Sequence, residues 1–296
     1  MKTYNEFTQA VADIFANEGT DYLPNDFGKI TVKLQEVTKA NDEHLVGLTI
    51  MKEGSSIAPT IYLEQYYSMY LNGYDMDEII DRIAEVRVEN DAPDVKPDDI
   101  FDLAKVRGQI TCKLLNIKAN EDYLADKPYS KISDLAAVYM VDLGNNMRAP
   151  ITYNLLERYG ITKETLHRIA IKNITKYGVK FKSMKDILVE MGIYEEDVPT
   201  DPNHPMYVLT NTDGMFGANL LLDKETMQYV SEVLGGDFII LPSSIHEVII
   251  LGMEKGTDGL TTMINEVNNK AVEDCDVLSN HPYIYSAQTG KIRSVA

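Results

Sequence analysis

The densest group of reactive side chains in this sequence lies in LPSSIHEVII (Leu241 to Ile250), which holds Ser243, Ser244, His246 and Glu247. Asp213 stands a short way upstream. A serine nucleophile needs its oxygen within about 2.6–3.2 Å of an imidazole nitrogen. On a strand, Ser244 and His246 share a face but sit about 6.5 Å apart along it, and Glu247 points to the other face. Direct activation between these neighbours is therefore disfavoured. No G-x-S-x-G elbow occurs either. A Pro-Ser-Ser turn entering a half-buried strand accounts for the segment. A hydrolase or transferase site near Asp213, Ser244 and His246 would have to be assembled by folding.

Metal and nucleotide chemistry find less support. His44, His167, His204, His246 and His281 are scattered, with neither H-E-x-x-H nor paired-cysteine spacing, so no metal site is expected. Asn203-His204-Pro205 and Asn280-His281-Pro282 each precede a strand pattern, and a proline setting up strand entry explains both. Phosphate-loop and dinucleotide fingerprints are absent, and DCDVLSN and DAPDVKPDD do not fit an EF-hand loop. No cofactor is expected.

Two binding surfaces suggest themselves. Tyr62, Tyr66 and Tyr70 recur at four-residue intervals and would form an aromatic ridge, suited to a ring-shaped ligand or to packing against a sheet. Arg168, Lys172 and Lys176 recur likewise and would form a positive stripe for an anion or nucleic acid. The alternative is that the stripe faces an acidic part of the same chain.

The elements that must carry these residues are legible in part. Phe7, Val11, Ile14 and Phe15 predict an amphipathic helix ending near Gly19. ITVKLQEV and HLVGLTIM predict paired strands around KANDE, and Ile79, Ile80, Ile83 and Val86 give a helical stripe. The middle of the chain reads as mainly helical, with LAAVYMVDL as a buried strand. Towards the C-terminus, MYVLTN and FGANLLL read as strands flanking a TDG turn. A helix capped by Asp223 and closed by Gly235 follows, then strands FIILP and HEVIILG, another helix, and a hairpin about QTGK. The expected fold class is α+β, with antiparallel hairpin-rich sheets, helices on one side and a mainly helical middle.

Composition narrows the function classes. The 296 residues carry a net charge of −18, with 44% apolar residues, the balance of a folded globular chain. The charge is segregated: −12 over residues 1–100, +7 over 101–185 and −13 over 186–296. The overall field repels nucleic acid and anionic membrane, and no apolar run is long enough to span a bilayer. The N-terminus lacks the apolar core of a signal peptide. Cys112 and Cys275, far apart, read as two thiols in a reducing cytoplasm. Expected divisions are an acidic lobe (1–100), a basic middle (101–192), a linker (193–205) and a C-terminal module (206–296).

Taken together, SIAPTIYLEQYY, the helix beginning ITKETLHRIA, PMYVLTNTDGMFGANLLL, LPSSIHEVII and VLSNHPYIYS resemble a family of uncharacterised bacterial proteins common in clostridia-type Gram-positive bacteria. The second half is more faintly similar to another uncharacterised bacterial family. The resemblance implies a bacterial, cytoplasmic setting and one architecture, and it assigns no activity, cofactor or catalytic residue. The expected function is a non-catalytic binding or protein-interaction module, with another protein among its candidate partners.

Overall fold

The computed structural model describes residues 1–55, 58–90, 97–144, 147–193, 205–242 and 244–295. Most of the expected linker, His204 and Ser243 lie outside them, as do residues 91–96 of the expected Asp-Pro loop. The chain divides into two units, each described separately below. The first comprises residues 1–39, 43–106 and 142–149, and the second comprises 40–42, 107–141 and 150–296.

In the first unit, Thr3 opens α1 (Tyr4–Tyr22) with a capping box. Its hydroxyl accepts from the Glu6 amide while the Glu6 carboxylate accepts from the Thr3 amide. The helix runs past the expected stop at Gly19. Glycine serves packing there, since a Cβ would sit 2.7 Å from Ile30 Cδ1. The predicted hairpin forms as β1 (Ile30–Thr38) and β2 (His44–Lys52), in register from Ile30 opposite Lys52 to Thr38 opposite His44. β3 (Thr60–Tyr62) completes an antiparallel sheet in the order β1-β2-β3. Helices α2 (Glu64–Leu71), α3 (Met76–Glu89), α4 (Pro97–Ile100) and α5 (Leu103–Val106) follow. Phe7, Val11, Phe15, Leu48, Ile50, Ile79, Ile80 and Ile83 form the core.

Arg87 of α3 is wholly buried in that core's neighbourhood. Its Nε donates to the Ile50 carbonyl at 2.7 Å, and its guanidinium lies 4.8 Å from the Phe27 ring centroid. A planar cation can meet an in-plane acceptor and an aromatic face at once.

Residues 101–192, expected to be mainly helical, also contain a sheet that periodicity shows only at LAAVYMVDL. It consists of β4 (Ile110–Asn116), β5 (Tyr129–Ile132), β6 (Leu135–Gly144) and β7 (Met147–Pro150), with order β4-β6-β5 and β7 paired to β6. Helix α6 (Glu121–Leu124) lies between β4 and β5 in the chain, and α7 (Tyr153–Tyr159) and α8 (Lys163–Ile174) follow β7. Ile110–Asn116 is buried or half-buried on both faces although Thr111 and Lys113 are polar, so its burial does not follow the residue pattern.

The larger sheet of the second unit takes β8 (Lys180–Ser183), followed in the chain by α9 (Met184–Glu190), then β9 (Met206–Thr210). After helix α10 (Lys224–Leu234) come β10 (Phe238–Leu241) and β11 (Val248–Gly252), then α11 (Leu260–Ala271) and the closing hairpin β12 (Tyr283–Ser286) and β13 (Lys291–Ser294). Its order is β13-β12-β10-β11-β9-β8, antiparallel throughout. Leu260 and Ile264 of α11 pack on Ile239, Leu241, Leu251 and Ile284 of this sheet.

The protein is therefore an α+β fold built on antiparallel sheets. FGANLLL departs from expectation: residues Gly217–Leu222 form a buried 3-10 turn, not a strand. Phe216 sits in left-handed backbone at φ 58°, which breaks any extended path into the segment. Asp223 caps α10 as expected, accepting from the Thr226 amide at 2.9 Å. Asp223→Ala should cost about 1 kcal/mol, readable as a lower urea midpoint with unchanged slope. Among the described residues no helix is long and apolar enough to cross a membrane.

Candidate functional site

The segment between β10 and β11 folds as a loop, and this changes the geometry of the Ser-His motif. Ser244 makes a single antiparallel bridge to Val277, and its Oγ accepts from the His246 backbone amide at 3.0 Å. The hydroxyl is thus occupied with the histidine's main chain. The imidazole turns elsewhere. His246 Nδ1 accepts from the Phe216 amide at 3.1 Å, which places the ring proton on Nε2, facing Asp276 Oδ2 at 3.2 Å. The Phe216 ring stacks on the imidazole with centroids 5.4 Å apart. Asp213 is exposed and makes no hydrogen bond to Ser244 or His246 among the described residues. Glu247 is also exposed.

His246 therefore works as a clip, tying the strained Phe216 to the loop before β12. Its carboxylate partner is Asp276, where the sequence offered Asp213. The hydrogen bond from His246, aided by Lys113, holds the Asp276 carboxyl below its ordinary value of 3.8. A depressed folded-state value contributes stability above the unfolded value and loses it as pH falls through the folded one. Wild-type melting temperature should accordingly drop more steeply below pH 3.8 than that of Asp276→Asn, whose melting should already be lower at neutral pH. Parallel curves for the two proteins would refute this assignment.

A second polar centre lies elsewhere in the same unit, along a cleft of about 660 Å³. Its lining includes Lys118, Glu121, Lys131, Asp134, Ser279 and His281. Local structure fixes each wall. Asp134 stands in the two-residue turn joining β5 to β6, where Ser133 takes φ 53°. Asn116, ending β4, accepts from the Lys118 and Ala119 amides at 3.0 and 3.2 Å and so shapes the 3-10 turn bearing Lys118. Asn41 donates from Nδ2 to the carbonyls of Asp274 and Val277, at 2.6 and 2.9 Å, and pins the loop that carries Ser279.

On that loop, Ser279 Oγ lies 3.2 Å from His281 Nδ1. His281 Nε2 lies 3.2 Å from Asp134 Oδ2, within ion-pair reach but off the line of a hydrogen bond. The second oxygen of Asp134 is buried away from any well-aligned donor among the described residues, and the Tyr283 hydroxyl lies within reach of Ser279 and Asp134. Tyr283 is held protonated by burial. Buried polar atoms without aligned partners are uncommon in native structures.

The remaining sequence candidates stay apart. Tyr62 belongs to β3 rather than to the helix carrying Tyr66 and Tyr70, and Lys39 Nζ lies 3.9 Å from its ring centroid. Tyr66 is buried in the first core, and Tyr70 packs on Phe7 with centroids 5.4 Å apart. The three do not form one open ridge. Arg168, Lys172 and Lys176 are exposed and make no ion pair among the described residues, though Lys176 lies beyond α8 in a 3-10 turn. Cys112 and Cys275 form no disulfide, and burial pushes the Cys112 thiol up to about 12. Glu273, Cys275 and Asp276 offer potential ligand atoms within 4.8 Å of one another, but Asp276 already faces His246.

Asp134, Ser279 and His281 are not legible as a group in the sequence. Asn280-His281-Pro282 was visible as a strand-entry motif, and β12 does begin directly after Pro282. Asp134 comes from a distant hairpin with no spacing to announce it.

The fold and these centres define an α+β protein with a polar cleft in its second unit. The chain belongs to a family of unknown function, DUF5688, whose model matches residues 4–287. No curated protein and no solved structure matches it.

Proposed function

We propose that this protein is a bacterial cytoplasmic binding module whose ligand is a compact polar molecule bearing an anionic group, held in the Lys118–Lys131–His281 cleft. The observation that carries this reading is the pair of lysines lining one cleft without an ion-pair partner among the described residues. Glu121 on the same lining tempers the local positive charge and favours a ligand that also offers a donor. A net charge of −18 gives no long-range steering toward anions, so recognition is local and short-ranged. The resemblance described above supports the bacterial, cytoplasmic setting.

The test is a calorimetric panel of small carboxylates and phosphate esters. A charge-assisted hydrogen bond contributes about 1.5–3 kcal/mol, so Lys131→Ala or Lys118→Ala should weaken a true ligand by about tenfold or more. Binding that is unchanged in both variants, or a panel without binders, counts against the cleft.

A second reading is favoured by the exposed Arg168, Lys172 and Lys176, which would hold a polyanion on α8 and the turn after it. Such binding would weaken steeply with salt. Absence of any nucleic-acid complex at low salt removes it.

A further inference from the structure

We propose that the cleft is also catalytic, with Ser279, His281 and Asp134 forming a nucleophile, base and orienting acid that hydrolyse a small carboxylic ester. The inference rests on the cleft being a ligand site and adds a reaction to it. Its basis is a sequence of contacts that no linear spacing reveals: Ser279 Oγ to His281 Nδ1 at 3.2 Å, then His281 Nε2 to Asp134 Oδ2 at 3.2 Å. All three residues line one cleft. A catalytic triad is recognised by these roles and distances, whichever ring nitrogen faces the serine. With the ring proton on Nε2 toward Asp134, Nδ1 is free to accept the serine proton. Unliganded sites often show such contacts long or poorly aligned, tightening once substrate binds.

Tyr283 supplies the remaining part. Its hydroxyl lies within reach of Ser279 and Asp134 and is kept protonated by burial. A protonated hydroxyl beside the nucleophile is placed to stabilise negative charge on the former carbonyl oxygen. Lys118 and Lys131 would take an anionic group elsewhere on the ester.

The chemistry closes with water as the only co-reactant. Ser279 Oγ attacks the carbonyl carbon as its proton passes to His281 Nδ1, and Asp134 stabilises the resulting imidazolium. Collapse of the tetrahedral intermediate breaks the bond to the alkoxide oxygen, which leaves as an alcohol carrying the proton from His281. Water then gives a proton to His281 and adds as hydroxide to the acyl carbon. The Ser279 ester bond breaks, the proton returns to Oγ, and a carboxylic acid departs. The expectation of a non-catalytic module came from missing spacing along the chain, whereas Asp134 and His281 are spaced for chemistry only in the fold.

The experiment treats the full-length protein with a fluorophosphonate probe and maps the adduct by mass spectrometry, alongside turnover of p-nitrophenyl acetate. Stoichiometric labelling of Ser279 in native but not heat-unfolded protein is expected. Ser279→Ala and His281→Gln should each lower turnover at least a thousandfold, and Asp134→Asn at least a hundredfold, with circular dichroism and melting confirming the fold. Mapping on the wild type needs no variant, so a misfolded substitution leaves the test intact. Absence of label on Ser279, or turnover unchanged in Ser279→Ala, overturns the proposal. If Ser279→Ala still binds the anionic ligands of the cleft while the wild type is never labelled, chemistry fails and binding stands. Labelling without any anionic ligand supports the chemistry while the ligand reading falls.

Discussion

Gly217→Ala should destabilise the protein by about 3 kcal/mol or more, although a single methyl group is all that is added. An added Cβ would lie 2.5 Å from the His246 carbonyl oxygen and 2.8 Å from the Asn211 amide nitrogen, and it would also overlap the Thr210 hydroxyl. Two of these three obstacles are backbone and cannot rotate away. The third, Thr210 Oγ1, donates to that same His246 carbonyl at 2.9 Å, so making room for the methyl also breaks a hydrogen bond worth about 1 kcal/mol. Gly214→Ala is the matched control. Its backbone is left-handed at φ 67° with nothing near the added Cβ, so its cost should be only the conformational one, about 1–2 kcal/mol. Urea titrations followed by far-UV circular dichroism suit a chain without tryptophan. Equal midpoints for the two variants would show that close approach at Gly217 is not limiting.

Arg87→Ala should be the most damaging change in the first unit, costing about 3–5 kcal/mol. It removes a wholly buried side chain, the donor to the Ile50 carbonyl, and the cation over Phe27. Arg87→Lys should recover less than half of that loss. An ammonium on a flexible stem keeps the charge but not the planar group that satisfies a carbonyl and covers a ring together. Full recovery by lysine would mean that charge alone, not shape, is what the site requires.

The contrast between legible and illegible parts follows from how each element is stabilised. The β1–β2 hairpin, the Asp223 cap and the β12–β13 hairpin are local, each written in residues a few positions apart. The 3-10 turn at Gly217–Leu222 is illegible because an apolar run of that length carries no period, and the decisive residue is Phe216 in a conformation nothing local requires. The site shows the same divide. Ser244 and His246 are neighbours in sequence, but the hydroxyl serves the His246 amide and the ring is taken by Asp276. Asp134 reaches His281 through tertiary folding, so no window of sequence contains both. The charge contrast between the middle and the C-terminal end also changes meaning, because residues 107–141 and 150–296 belong to one unit.

Asn41 gives the second unit an unusual dependence on the order of synthesis. Three residues, 40–42, belong to that unit although most of its chain comes after residue 106. Asn41, held at φ 58°, exchanges hydrogen bonds with Asn120 and closes on the carbonyls of Asp274 and Val277, more than 230 positions later. On the ribosome, the residue that pins the Ser279 loop must wait for more than 230 further residues before its partners exist. An excised fragment beginning at residue 107 would lack that pin altogether. The cleft is thus a late product of biosynthesis, completed only once the segment around residues 274–281 is free to close on Asn41.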